Sequence, residues 1–318
     1  MWTADKLIYR DDDSFVMAYQ GSELVWYKTG NNRIYYTSSD NTVIYPNQDY
    51  KPNNINIISN TYSGGVGIIE FDLPVVDLWR QMFKDKEKLT SITYPSSVRT
   101  ISRSAFNGAD YLEDIIILNG VKHIGRLAFA DIQMGFYDYV VNIPESVEQI
   151  DVNPFTGSWP ISNYIVDSNN RYYDSRNSCG AIIETATNKV IAGTRGGFIP
   201  NTVVEIGALA YYAQAPGGGN LVIPSSVQII GSRAFMNDQV LQKVTIPSSV
   251  TRIDSYAFAS CTILKEVIVN ATVPPILGQY AFADNYASGR LIKVPASSLQ
   301  DYLTAPGWST YAASIVAQ

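Results

Sequence analysis

One signature recurs through this chain: an alternating apolar segment, a proline with two small polar residues, a valine, an isoleucine, and then Ala-Phe. The stretch "VTIPSSVTRIDSYAFASC", Val244 to Cys261, shows it whole; "IPSSV" at Ile223 to Val227 and "YPSSV" at Tyr94 to Val98 repeat its centre. Aligned on the aromatic residue, the landmarks are Phe83, Phe106, Phe129, Phe155, Tyr211, Phe235, Phe258 and Phe282, with spacings of 23, 23, 26, 56, 24, 23 and 24. Eight turns of one unit follow, with one long insertion. A period of this length marks a stacked array. A single unit buries about seven apolar side chains at roughly 1.5–3 kcal/mol each, while ordering its backbone costs about 1–2 kcal/mol per residue. One unit does not fold alone, and stacking covers both faces of every internal coil.

Within a unit, "LQKVTIP" from Leu241, "LEDIIIL" from Leu112, "LKEVIV" from Leu264 and "LTSITYP" from Leu89 alternate apolar and polar residues, the pattern of a short strand with one buried face. Val244 and Ile246 then point inward, and Lys243 and Thr245 outward. Proline at 95, 144, 200, 224 and 247 has no N–H for a ladder, so it ends the strand and starts a corner, after which Val98, Val227 or Val250 re-enters the core. Gly125, Gly207, Gly231 and Asp254 are residue types that tolerate tight backbone geometry. The small Ala of the Ala-Phe pair lets coils approach, and Phe106, Phe129, Phe235, Phe258 and Phe282 form an aromatic spine. The fold class expected is an α/β to mainly β repeat: a right-handed solenoid with one parallel strand per turn on a concave sheet.

The repeat unit resembles the BspA-type leucine-rich repeat of bacterial, especially Bacteroides-like, surface proteins, over about residues 65 to 318. The most specific parts are the IPSSV and Ala-Phe signatures, the inserted "YYDSRNSCGAIIETATNKVIAGT" at Tyr172 to Thr194, and the ending "VPASSLQDYLTAPGWSTYAASIV". The opening "NNRIYYTSSD" at Asn31 to Asp40 is similar to the leader of such proteins. The resemblance implies a leucine-rich-repeat horseshoe or arc, export or cell-surface display, adhesion to host proteins or other cells, and no catalysis. The chain departs from the pattern at Pro154-Phe155 and Ala210-Tyr211.

Residues 1–64 carry short aromatic and β-branched runs between polar turns and are expected to form a β-rich cap, with "SGGVG" at Ser63 to Gly67 as its joint to the first coil. Repeats are expected over 65–290, with an inserted hairpin-bearing coil at 161–197 whose turn falls at Ala186 to Asn188. The loop "AQAPGGGN", Ala213 to Asn220, is flexible by composition. Residues 291–318 read as a short helical C-terminal cap, N-capped at Ser297 or Ser298, stopped by Ala305 to Gly307, with a second short helix near Thr310 to Val316.

Composition narrows function. Twenty-three basic against 29 acidic residues, net charge -6, argue against a phosphate-neutralising surface, so no nucleic-acid partner is expected. No run reaches the roughly 18 apolar residues of a membrane span, and the start lacks the apolar core of a secretory signal. The single histidine, His123, sits at a corner, and any Ser-His-acid or Cys-His site must use it. Cys261 occupies the position after Ala-Phe and Cys179 the insertion; both read as packing thiols. The segment Asp167 to Ser178 fails as a calcium loop, with Arg171, Tyr172 and Ser178 where an oxygen ligand, a glycine and a glutamate belong. Asp11 to Asp13 read as a solvated turn, and Glu113 and Asp114 as strand neighbours on opposite faces. No cofactor, metal or catalytic residue is expected.

The candidate binding surface is the outward row of the strands: Ser91, Thr93, Asp114, Ile116, Val140, Asn142, Phe198, Val222, Lys243, Thr245, Glu266 and Ile268. It is mixed, weakly charged and poor in aromatic rings, which suits protein contact better than sugar stacking. The expectation is a monomeric, non-enzymatic cell-surface or secreted protein that binds a host or neighbouring-cell protein. A glycan-binding or envelope scaffold role, motivated by 22 tyrosines, is the alternative.

Overall fold

The carbonyls of Pro95, Pro144, Pro200, Pro224 and Pro247 each accept the N–H of the valine three residues on, at 3.0–3.2 Å. Each of these prolines therefore closes a tight turn, and Val98, Val147, Val203, Val227 and Val250 all return to full burial. The second small polar residue also ties coils together. The hydroxyls of Ser97, Ser146 and Ser249 donate to the carbonyls of Val75, Val121 and Val227 one coil earlier, at 2.7–2.9 Å.

These turns belong to a computed structural model that describes residues 30–133, 139–159, 161–284 and 289–318, with the backbone of three N-terminal strands, Leu7–Tyr9, Phe15–Gln20 and Glu23–Lys28. Asp11 to Asp13 lie outside the described residues. The chain divides into two compact units, Met1–Ile161 and Ser162–Gln318, at the start of the expected insertion. Both carry parallel β-solenoid coils.

In the second unit the strands Asn220–Val222, Lys243–Ile246, Glu266–Val269, Leu291–Val294 and Ile315–Ala317 form one parallel sheet. Leu221, Val244, Val267 and Ile292 are in register and face the core. The coils also carry a second, two-residue strand. Glu205–Ile206, Ile229–Ile230, Arg252–Ile253 and Ile276–Leu277 pair in parallel here, as do Asp77–Leu78, Thr100–Ile101, His123–Ile124 and Gln149–Ile150 in the first unit.

The aromatic spine runs through each unit as a four-ring stack. Phe83, Phe106, Phe129 and Phe155 lie 5.4, 5.2 and 5.8 Å apart, and Tyr211, Phe235, Phe258 and Phe282 lie 5.5, 5.1 and 5.4 Å apart, all within 9° of parallel. Under the rings runs a backbone ladder. The N–H of Phe106 donates to Ala128 O at 2.7 Å, that of Phe235 to Ala257 O at 2.8 Å, and that of Phe258 to Ala281 O at 2.8 Å. Holding it requires left-handed backbone two residues before the ring, at Leu127, Leu209, Arg233 and Tyr256, and two after, at Asp131, Asn237 and Ser260. Such geometry is unfavourable by about 1–3 kcal/mol per non-glycine residue, a cost the ladder and stack offset. At the glycines four residues before the ring, the tight geometry is a close approach between coils. A Cβ on Gly231 would lie 2.8 Å from Ala208 N and from Gly207 C, so glycine there permits close approach of two coils.

At the N-terminal end of the coils, Arg33–Ser38, Ile57–Ser63 and Val66–Phe71 form an antiparallel sheet that Leu89–Thr93 of the first coil joins. Gly64 and Gly65 form the turn of a hairpin inside that sheet, so a boundary at residue 64 cuts between paired strands and "SGGVG" is not a joint. "LEDIIIL" does not form a strand: the Tyr94 hydroxyl donates to Ile116 O at 2.6 Å and accepts the Leu118 N–H at 3.3 Å, taking up groups a ladder would use. Glu113 and Asp114, expected on opposite strand faces, are both exposed.

The insertion holds the expected hairpin, Ala181–Glu184 against Lys189–Gly193, extended by Tyr173–Asp174. Its last strand pairs in parallel with Glu205–Ile206 and so opens the short-strand column of the second unit. Gly193 explains the departure at Tyr211: the ring lies where a Gly193 Cβ would be, 2.1 Å from it, and the hydroxyl runs on into the core without a hydrogen-bond partner. The loop from Ala213 is not loose throughout. Gln214 and Ala215 are buried, and the Ala215 N–H donates to Asp238, itself buried beside Arg195.

The C-terminal segment caps the last coil through polar handles on buried rings. Trp308 Nε1 donates to Pro275 O at 2.7 Å, the Tyr302 hydroxyl to Ala271 O at 2.7 Å, and the Phe282 N–H to the Tyr311 hydroxyl at 3.2 Å. Three corrections apply. Ser298 precedes the helix Leu299–Thr304 without a side-chain capping bond, the second helix is a 3-10 segment, Trp308–Ser314, and Ile315–Ala317 is a strand. Strand Leu291–Val294 continues the sheet, so the repeat geometry runs past residue 290.

Two stability changes follow. Phe258→Ala removes a ring stacked on both sides and should lower unfolding free energy by about 3–5 kcal/mol in urea titration. Tyr211→Phe removes a buried hydroxyl without a partner and should raise it by about 1 kcal/mol.

Candidate functional site

Strand alternation sets two outward columns on the five-stranded sheet of the second unit. Val222, Thr245, Ile268, Lys293 and Val316 are in one register, and Asn220, Lys243, Glu266 and Leu291 in the other. Val222 is 69% exposed, and Thr245 and Ile268 are half-buried beside it. Glu266 lies between two lysines, 2.9 Å from Lys243 Nζ and 2.5 Å from Lys293 Nζ. Hydrogen bonds from Lys243 and then Lys293 hold its carboxyl below the usual glutamate range.

Five of the candidate residues thus stand on this face, Val222, Thr245 and Ile268 in one column and Lys243 and Glu266 in the other. The others divide. Val140 and Asn142 are exposed on strand Tyr139–Ile143 of the first unit. Asp114 is exposed and Ile116 half-buried, but on a segment that is not a strand. Phe198 is 46% exposed, yet its N–H goes to Cys179 O and it lies outside the ladder. Thr93 is buried, and the Ser91 hydroxyl is bonded to that of Thr37 at 2.6 Å on the neighbouring strand. Those two belong to the join with the N-terminal sheet and offer no open face. Sequence reasoning missed Lys293, Leu291 and Val316. The signal for the first two was present in "LIKVP" at Leu291 to Pro295, a strand ended by proline that had been assigned to the cap.

The residues with chemical potential are committed elsewhere. His123 Nε2 lies 3.1 Å from Asp151 Oδ1. Burial alone would raise the Asp151 carboxyl, but hydrogen bonds from His123, Gln149 and the Arg126 N–H outweigh it and hold the group below the usual range. Cys261 is fully buried, its thiol donates to Phe235 O at 3.2 Å, and burial pushes it up to about 12. Burial likewise raises Cys179. The two cysteines are free. In Asp167 to Ser178 the polar side chains serve the chain itself: Asn170 Oδ1 accepts the N–H groups of Tyr172 and Tyr173, and Asp174 is forked by Arg176. Among the described residues no helix is long and apolar enough to cross a membrane.

Stacked coils joined by parallel strands, proline turns and an aromatic spine define a leucine-rich-repeat solenoid. The BspA-type leucine-rich repeat model matches in six copies over residues 76–185 and 198–301, well over half the chain. The chain belongs to that family. Among solved structures it is similar to a leucine rich cell surface protein from Faecalibacterium prausnitzii, with 19% identity, a TM-score of 0.50, and 67% of this chain and 61% of that one covered. A leucine-rich repeat protein from Eubacterium ventriosum matches at 19% identity and TM-score 0.46, covering 67% and 68%. One from Bacteroides ovatus matches at 17% and 0.39, covering 93% and 82%. At these identities the likeness concerns the fold alone. No curated protein matches the chain.

Both thiols should resist a disulfide-exchange reagent at pH 8 in the folded protein and react fully in denaturant. Rapid labelling of either in the native state would show that its coil opens.

Proposed function

We propose that the chain is a non-enzymatic interaction protein, displayed on a bacterial surface or secreted, that presents the strand face of its second unit to a macromolecular partner. The observation that carries this reading is the continuous outward register from Val222 to Lys293, apolar at its exposed end and set on a hydrogen-bonded ladder. Family membership supports an interaction role, since a leucine-rich repeat is a scaffold that leaves its outward positions free to vary. Similarity in fold to the leucine rich cell surface protein of Faecalibacterium prausnitzii supports a cell-surface setting. The absence of aromatic rings from the five strands of this face favours protein over sugar, because sugar sites commonly stack on exposed rings.

Surface plasmon resonance against purified extracellular-matrix and bacterial surface proteins, with a glycan array in parallel, tests the reading. The expected result is at least one protein ligand whose affinity falls at least tenfold in Val222→Asp and in Ile268→Asp, with the circular dichroism and urea midpoint of each variant unchanged. A ligand bound equally by both variants, or binding confined to glycans, would overturn it.

A further inference from the structure

We infer that the strand face of the second unit takes an acidic polypeptide segment, one that carries carboxylates beside small apolar side chains. The inference deepens the docking role proposed above and rests on it. Glu266 is the only carboxylate among the outward side chains of the five strands, and two ammonium groups share it. One positive charge on this face therefore has no counterpart there, although the chain as a whole carries -6. The lysines are roughly two-fifths exposed, at 41% and 36%, whereas Glu266 is 25% exposed beneath them. An approaching partner meets ammonium groups first.

Ion pairs at such exposure are individually weak. A ligand carboxylate can therefore draw Lys243 or Lys293 away from Glu266 at small cost, and Glu266 keeps the other lysine. A basic segment would face two ammonium groups and find the one carboxylate already doubly paired. Selection against the wrong charge is thus built in, as charge juxtaposition at interfaces generally achieves. Val222 and Ile268, in register on either side of Thr245, supply apolar contact for the intervening side chains, while Asn220 and Thr245 offer uncharged polar groups. A polyanionic glycan shares the charge but makes no use of this apolar pair.

Panning a phage-displayed library of random 12-residue peptides against the whole protein, with counter-selection on Val222→Asp, tests the inference. Selected peptides should be enriched in Asp and Glu together with Val, Ile or Leu, and should weaken at least threefold between low and physiological salt. Lys243→Glu and Lys293→Glu should each weaken them at least tenfold. Glu266→Gln should tighten them two- to fivefold, because it frees both lysines; a purely structural role for the lysine-glutamate cluster would not produce that gain. Enrichment of basic or uncharged peptides that still lose affinity in Val222→Asp would overturn the acidic specificity and leave the docking face standing. Peptides indifferent to Val222→Asp and to every lysine variant would overturn both. Hyaluronan binding that follows the lysine variants, with no acidic peptide recovered, would assign the charge to a glycan and reject the peptide.

Discussion

The hydrogen bond from a ring-bearing residue's N–H to a carbonyl of the next coil, an alanine carbonyl except at Phe129, which donates to Pro154 O, is the joint on which both units depend. It fixes coil spacing directly beneath the stacked rings, so that backbone ladder and aromatic contact are satisfied by one geometry. The rest follows from keeping that joint. Residues two before and two after the ring turn left-handed; a glycine four before admits the neighbouring backbone; the second serine of the proline turn adds a bond to the preceding coil. Where the ladder ends, a side chain must replace the missing coil. The Tyr311 hydroxyl does so at Phe282, its ring edge-on to that of Phe282, while Trp308 and Tyr302 meet each other edge-on and donate to the carbonyls of Pro275 and Ala271.

Legibility in the sequence tracked side-chain chemistry and stopped at backbone geometry. The ring spine, proline turns and buried strand positions were readable because Phe, Pro and Val declare burial and dihedral preference through residue type. The second strand column was not, since two residues such as Arg252 and Ile253 are too short for any periodicity to register. Neither were the left-handed positions, occupied here by Leu127, Arg233 and Tyr256, whose own preferences argue against that region. Only the surrounding ladder holds them there. Gly64-Gly65 misled for the converse reason: a glycine pair marks a turn, but residue type does not say whether the turn joins two strands of one sheet or two parts of a chain.

The candidate site shows the same division. Alternation along the strands correctly set Val222, Lys243, Thr245, Glu266 and Ile268 outward. Sequence spacing could not reveal that Ser91 and Thr93, identical in pattern, lie where a second sheet joins the coil. That depends on Arg33–Ser38, some fifty residues earlier and outside the repeat. Lys293 lies in residues 291–318, which read as a C-terminal cap, whereas Leu291–Val294 continues the parallel sheet.

The outward row also shows how such a scaffold can carry specificity at little expense to its fold. Inward residues, turn residues and ring neighbours are each held by a contact with the next coil, so substitution there propagates along the stack. Outward side chains contact one another across the face, as Glu266 does Lys243 and Lys293, and leave the buried contacts between coils untouched. Two lysines spaced one coil either side of Glu266 would repel each other on a face whose other outward side chains are uncharged; the shared carboxylate quenches that repulsion in the free protein and leaves a net positive charge on the face. On the proposed reading the same three side chains balance charge on the unbound face and set the sign of what binds it, and neither property requires any change in the coils beneath.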